Sequence, residues 1–116
     1  MRPVSQSRQR RLEGEMQRTL SELVAREVKD PRVGNVTITE VKVSADLSVA
    51  RVYFTPFASK AAPEEVREGL TSAGAYLRGE VGRRLRLRHA PRLEFVFDDS
   101  FDKAARLTAL IDRAPK

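Results

Sequence analysis

Cysteine and tryptophan are absent from this chain, histidine occurs once, as His89, and aromatic residues make up only 6% of it. Without cysteine there are no disulfides, no zinc–thiolate sites and no thiol nucleophile. Rings this sparse are mostly claimed by a hydrophobic core, which leaves few for stacking on a ligand. No apolar run approaches the roughly 20 residues of a membrane span, and the arginine- and glutamine-rich N-terminus has no apolar signal segment. The expectation is a soluble, cytoplasmic chain that does not engage a membrane.

What the chain has in excess is arginine, and in two places. Residues 76–92 carry six (Arg78, Arg83, Arg84, Arg86, Arg88, Arg92) against a single acid, Glu80. Residues 1–12 carry four more (Arg2, Arg8, Arg10, Arg11) with no acid, while the formal net charge of the whole chain is only +6. The positive charge is therefore segregated over a slightly acidic remainder, which is the electrostatic footprint of a phosphate-rich partner. Neither segment contains lysine, and arginine is the residue suited to bidentate phosphate contact and to stacking on bases. The plainer alternative, two solvated basic faces, accounts less well for the segregation. Nucleic acid is the expected ligand.

With 116 residues, 41% hydrophobic and 33% charged, the chain is an ordinary globular length and composition. It buries about two-thirds of its unfolded surface without staples. The expected organisation is a single domain over residues 8–112, with loose ends at 1–7, a basic arm, and 113–116.

Leu12, Met16, Leu20, Leu23, Val24 and Val28 recur at helical spacing and predict a helix from about Arg8 to Lys29, capped by Ser5 or Ser7 and stopped at Asp30 by Pro31. From Val36 the residues turn β-branched, and two strands are expected, Val36–Val43 and Val49–Phe54, joined by a hairpin at 44–48 and closed by Thr55-Pro56. The apolar positions change parity between Ile38 and Val41, which predicts a bulge near Glu40. Pro63 followed by Glu64 and Glu65 opens a second helical stretch. Its stripe Val66, Leu70, Ala73, Leu77, Val81, Leu85 continues to residue 85. A single helix of that length would span about 34 Å, so two helices meeting at a glycine-supplied kink are expected. A third strand, Leu93–Phe97, and a short helix carrying Phe101, Ala104, Leu107, Leu110 and Ile111, capped from Asp98, Asp99 or Ser100, complete the chain.

The fold class is α+β, and the order helix–strand–strand–helix–helix–strand is similar to that of type II KH domains. The blocks Lys29-Asp30-Pro31-Arg32, Val41-Lys42-Val43-Ser44 with Asp46-Leu47, and Ala50-Arg51-Val52-Tyr53 resemble bacterial ribosome-binding factor A. So do Tyr76-Leu77-Arg78, Leu85-Arg86-Leu87-Arg88, Pro91, Leu93, Phe95 and Asp98-Asp99-Ser100. The resemblance runs from about Arg8 to Ile111. It implies a non-enzymatic assembly factor, without cofactor or metal, that binds the small (30S) ribosomal subunit and its 16S ribosomal RNA during late maturation and rRNA processing. It further implies greatest need in the cold, release by a ribosome-associated GTPase, and a monomer. Families of this kind replace the Gly-x-x-Gly loop of KH domains with an Ala-x-Gly kink. Here the kink reads Ala73-Gly74-Ala75, with alanine at the usual glycine and Gly74 one residue early. The principal alternative is a generic RNA-binding KH-like module with no tie to ribosomes.

The RNA contacts are expected from Arg8, Arg10, Arg11, Arg78, Arg83, Arg84, Arg86, Arg88 and Arg92, with one or two of them paired instead with Glu80 or Asp99. The first three form either an arm that orders on RNA or a solvated terminus. Gly79-Glu80-Val81-Gly82 has the spacing of a phosphate clamp, but Glu80 would set a carboxylate against phosphate, so helix glycines that permit close packing are the preferred reading. Arg32 reads as a turn arginine paired with a carboxylate. Among Tyr53, Phe54, Phe57 and Tyr76, the last is the best candidate to stack on a base. Asp98, Asp99 and Asp102 could suggest a metal-dependent phosphoesterase, yet capping explains the first two more simply. His89 lacks an orienting carboxylate, and no catalytic role is expected of it. A protein-interaction domain with an acidic partner is the remaining alternative.

Overall fold

Met16, Leu20, Leu23 and Val24 fall on one stripe of a helix, and in the computed structural model that stripe is buried against a sheet. Residues 6–56 and 62–100 are described. Their order is α1 (Gln6–Glu27), β1 (Val36–Val43), β2 (Val49–Pro56), α2 (Pro63–Ser72), α3 (Gly74–Arg84) and β3 (Arg92–Phe97). The N-terminal residues with Arg2 and Ser5, the segment holding Phe57, and the C-terminal stretch with Asp102, the expected last helix and 113–116 lie outside the described residues.

The sheet runs β1-β2-β3. The hairpin pairs β1 and β2 antiparallel, whereas β3 lies parallel to β2, Val52 opposite Phe95. A parallel neighbour needs a crossover, and the α2–α3 pair supplies it. Alternate residues of the three strands (Ile38, Val41, Val43, Ala50, Val52, Phe54, Phe95) meet Val66, Leu70, Leu77 and Val81 of the crossover and the α1 stripe in one core. Phe54 and Phe97 pack edge to face at 6.2 Å.

The parity change does mark a bulge: Ile38 pairs with Phe54 and Glu40 with Tyr53, leaving Thr39 over. Helix α1 satisfies this irregular edge with side chains. Gln17 donates to the carbonyls of Ile38 (3.2 Å) and Thr39 (3.1 Å), and the Val43 amide donates to Glu13 (2.8 Å). These bonds occupy part of the backbone that an edge strand leaves unpaired.

Three expectations need correcting. Ser7 lies within the first turn of α1 and does not cap it. Helix α1 ends at Glu27, short of Lys29, because the chain must extend there to enter the Asp30–Val33 turn (Val33 N–H to Asp30 O, 3.0 Å), which drops Val33 into the core. The break between α2 and α3 falls at Ala73, with φ −86° and ψ 0°, a conformation open to any residue; it does not need glycine. Gly74 simply opens α3. The glycine this pair does require is Gly69, where an added Cβ would stand 2.7 Å from Val33 Cγ2. Gly82 also permits close packing, against Ala90 at 3.3 Å, but nothing approaches Gly79 within 4 Å.

Candidate nucleic-acid interface

Helix α3 ends in a turn that reverses the chain toward β3. Leu87 N–H returns to Gly82 O (2.9 Å) and Arg86 N–H to Arg83 O (3.3 Å), the paired bonds of a Schellman motif. Leu87 packs down on the core, so its neighbours Arg86 and Arg88 point outward and are exposed. Arg78, two turns earlier on α3, donates Nε–H to the carbonyl of Ala90 (3.0 Å), bracing helix to exit segment. A neutral carbonyl leaves the guanidinium charge uncompensated.

The β1–β2 hairpin approaches this exit. Asp46 Oδ1 accepts from Ser44 Oγ (2.8 Å), Ser48 Oγ (2.7 Å) and Ser48 N–H (3.1 Å). These bonds, those of Ser48 foremost, pull the carboxyl down to about 2. Arg92 N–H binds Ser48 O at 2.9 Å and locks hairpin to β3. Between hairpin and exit lies an open cleft of about 630 Å³, walled by Arg8 of α1, Asp46 to Ser48, Arg78, and Arg86 to Ala90. Arginines from both basic segments meet here. A neighbouring hollow of about 580 Å³ shares Arg78 and Arg88 and adds Arg83.

The other arginines are differently placed. Arg83 and Arg84 both reach Glu80 (2.6 and 3.5 Å), and Arg84 also approaches Glu27 (3.9 Å). The Arg83 hydrogen bond leads in lowering the Glu80 carboxyl. Arg92 binds Glu94 at 3.1 Å on the sheet face opposite the helices. Arg10 and Arg11 are exposed on α1, but Arg10 sits about 160° round the helix axis from Arg8, so the N-terminal cluster fans out rather than converging. Among the described residues, the side chains of Arg86 and Arg88 have neither hydrogen bond nor ion pair.

Arg32 is a turn arginine: it grips Asp30 (2.6 Å) and reaches Ser72 of α2 (3.2 Å). Its hydrogen bond is the chief cause of an Asp30 carboxyl lowered to about 2. Phe54 is fully buried and cannot stack on a base. Tyr76 is 48% exposed, with its hydroxyl on Glu27 (3.3 Å), but it lies beside the α2–α3 break, in a hollow with Asp30 and Ala73, away from the cleft. Tyr53 is half-buried on the outer sheet face, opposite Glu40, in a hollow it lines with Lys42 and Arg51. Asp98 accepts from Ser100 N–H (2.9 Å) and Thr39 Oγ (2.6 Å), so it caps a turn and ties it to the bulge. Asp46 and Leu47 are site residues that sequence reasoning missed; the carboxylate between two serines is the signal that marks a fixed turn there.

Fold and site together define a small α+β binding domain that presents a cationic cleft. The sequence model of the ribosome-binding factor A family matches residues 8–111, and the chain belongs to that family. Ribosome-binding factor A of Thioalkalivibrio sulfidiphilus is 49% identical over 112 residues, covering 97% of this chain and 87% of its own. That of Azoarcus sp. is 42% identical over 112 residues, covering 97% and 89%. The crystal structure of ribosome-binding factor A from Thermus thermophilus is similar at TM-score 0.67 and 34% identity, covering 76% of this chain and 93% of that one. A homology model of the Thermus thermophilus factor, fitted into a cryo-EM map of its complex with the 30S subunit, is similar at TM-score 0.64 and 32% identity, covering 77% and 93%.

Proposed function

We propose that this chain binds the small (30S) ribosomal subunit through its 16S ribosomal RNA and assists late maturation and rRNA processing in the cytoplasm. It acts as a monomer, by holding RNA rather than by covalent chemistry. The observation that carries the reading is the convergence of Arg8, Arg78, Arg86 and Arg88, distant in sequence, on one open cleft. Arg83 adds its charge from the neighbouring hollow, Arg84 and Arg92, tied to carboxylates, add theirs from outside the cleft, and Arg10 and Arg11 extend the basic surface along α1. Opposite charge also speeds encounter with a particle sheathed in phosphate.

The element order and the parallel β2–β3 pair support a type II KH-like arrangement. In that arrangement the junction Ala73-Gly74-Ala75 stands where a KH domain carries its phosphate-binding loop. The hollow beside Ala73 is lined by Glu27, Lys29 and Asp30, a mixed set of charges, whereas arginines gather at the far end of α3, which favours contact with the RNA backbone there. The family resemblance supports a ribosome-associated GTPase as the partner that ends the interaction.

Co-sedimentation with small subunits, large subunits and whole ribosomes over a salt series tests this. The expected result is selective binding to free small subunits, weakened by salt. Equal binding to every RNA-containing particle would favour the generic RNA-binding module, and no binding would refute the reading.

A further inference from the structure

Arg86 has φ 55° and Leu47 φ 62°, the non-glycine residues with positive φ among those described, and both stand on the walls of the cleft. Leu47 has reasons of its own for this geometry. The hydrogen bonds of Asp46 and the Leu47 N–H to Ser44 O bond (2.8 Å) fix the hairpin turn, and the Leu47 side chain packs against the core. At Arg86 hydrogen bonds likewise fix the turn, but the side chain has no packing role. The residue occupies the C′ position of the Schellman turn, where the left-handed backbone crowds Cβ and glycine or asparagine is the residue of least strain. Its side chain finds no hydrogen bond or ion pair among the described residues and is not part of the core. Neither backbone preference nor an internal partner accounts for arginine here.

The Schellman bonds and Leu87 on the core set the turn itself; what they leave unexplained is a side chain at a position that glycine fills with less strain, and such a residue points to a function there. We infer that Arg86 is the anchor of a preformed seat for the phosphodiester backbone of an RNA strand, its guanidinium held at the cleft from a left-handed turn position where glycine would carry less strain. The inference rests on the reading that the cleft binds ribosomal RNA. The seat is built for phosphates and not bases: Arg78 and Arg88 flank Arg86, and among the described residues His89 is the sole ring on the walls. Asp46 is ionised and spends Oδ1 on the hairpin, so it closes one wall to phosphate and directs the strand toward the α3 side.

Two variants test for the guanidinium without straining the turn. Arg86→Gly and Arg86→Asn each relieve the backbone while removing the guanidinium; asparagine is the stricter of the two, because glycine also loosens the unfolded chain. The measurements are thermal melts and equilibrium binding to purified small subunits over a salt series, with Arg67→Gln of α2 as the distant control. The expected result is binding weakened about tenfold with the salt slope flattened by about 1, a melting temperature unchanged or raised for Arg86→Asn, and control binding as in the unaltered protein. Binding within about threefold of the unaltered protein would overturn the inference while leaving the functional reading intact. A lowered melting temperature in both variants would overturn it too, since the loss would then trace to a damaged turn. An unaltered protein that fails to bind small subunits would sink both.

Discussion

Gly69 of α2 lies against Val33 so closely that a methyl group on it would stand 2.7 Å from Val33 Cγ2, with Arg32 Cβ at 3.3 Å. This contact seats the Asp30–Val33 turn on the crossover helix. Gly79, one helix further on, has nothing within 4 Å. The two glycines are therefore expected to respond with opposite sign. Gly69→Ala should destabilise by about 1–3 kcal/mol through overpacking. Gly79→Ala should stabilise by up to about 1 kcal/mol, because alanine is the better helix former and meets no obstruction. Urea denaturation of the two variants checks both signs.

Leu77 is fully buried where α3 meets α1 and the sheet. Truncation to alanine removes transfer energy and leaves a cavity, and should cost about 2–5 kcal/mol. The urea midpoint should fall with the slope unchanged. A change of slope would instead signal loss of two-state unfolding.

Asp30 and Asp46 both have carboxyls lowered from 3.8 to about 2, by Arg32 and by Ser48 respectively. A lowered carboxyl contributes stability that is present in full above its unfolded value and is lost as pH falls through the folded one. Melting temperature should therefore decline between pH 3.8 and about 2, and Asp46→Asn should flatten part of that decline. Thermal melts across this window, with the two proteins compared, decide it. Parallel curves would show that Asp46 stays unpaired in solution.

Arg78 and Arg88 belong to the cleft, whereas Arg32 belongs to the turn that Asp30 and Ser72 hold. Arg78→Gln and Arg88→Gln should each weaken binding to small subunits and reduce the salt slope by about 1, with little effect on melting. Arg32→Gln should lower the melting temperature and leave the slope unchanged. The contrast is read from the same binding and melting series.

The elements were legible where local chemistry decides them. The α1 stripe, Pro63 with Glu64 and Glu65, and the alternation that slips at Thr39 each carry their signal within a few residues. The break after α2 was legible from length, but its cause was not, since Ala73 adopts a conformation any residue accepts and the glycine under constraint is Gly69, pressed by a turn some 36 positions earlier in the chain. The arginine clusters could be read as charge. Their sorting could be read only where a carboxylate stands three or four residues away, as Glu80 does for Arg83 and Arg84. That Arg8 joins Arg78 while Arg10 turns away is set by where α1 packs, and that Asp46 walls the cleft is set by the hairpin meeting the α3 exit. Arg86 gives no local sign of its left-handed backbone, because the usual sign is a glycine.

The most direct test of the central claim is a comparison of affinities for purified free small subunits at fixed salt. The unaltered protein is set against Arg78→Gln/Arg86→Gln/Arg88→Gln and against Arg67→Gln, whose arginine is paired with Glu64 on α2. The cleft variant is predicted to bind roughly a hundredfold or more weaker, with the α2 variant unchanged. Equal affinities for the cleft variant and the unaltered protein would contradict the account.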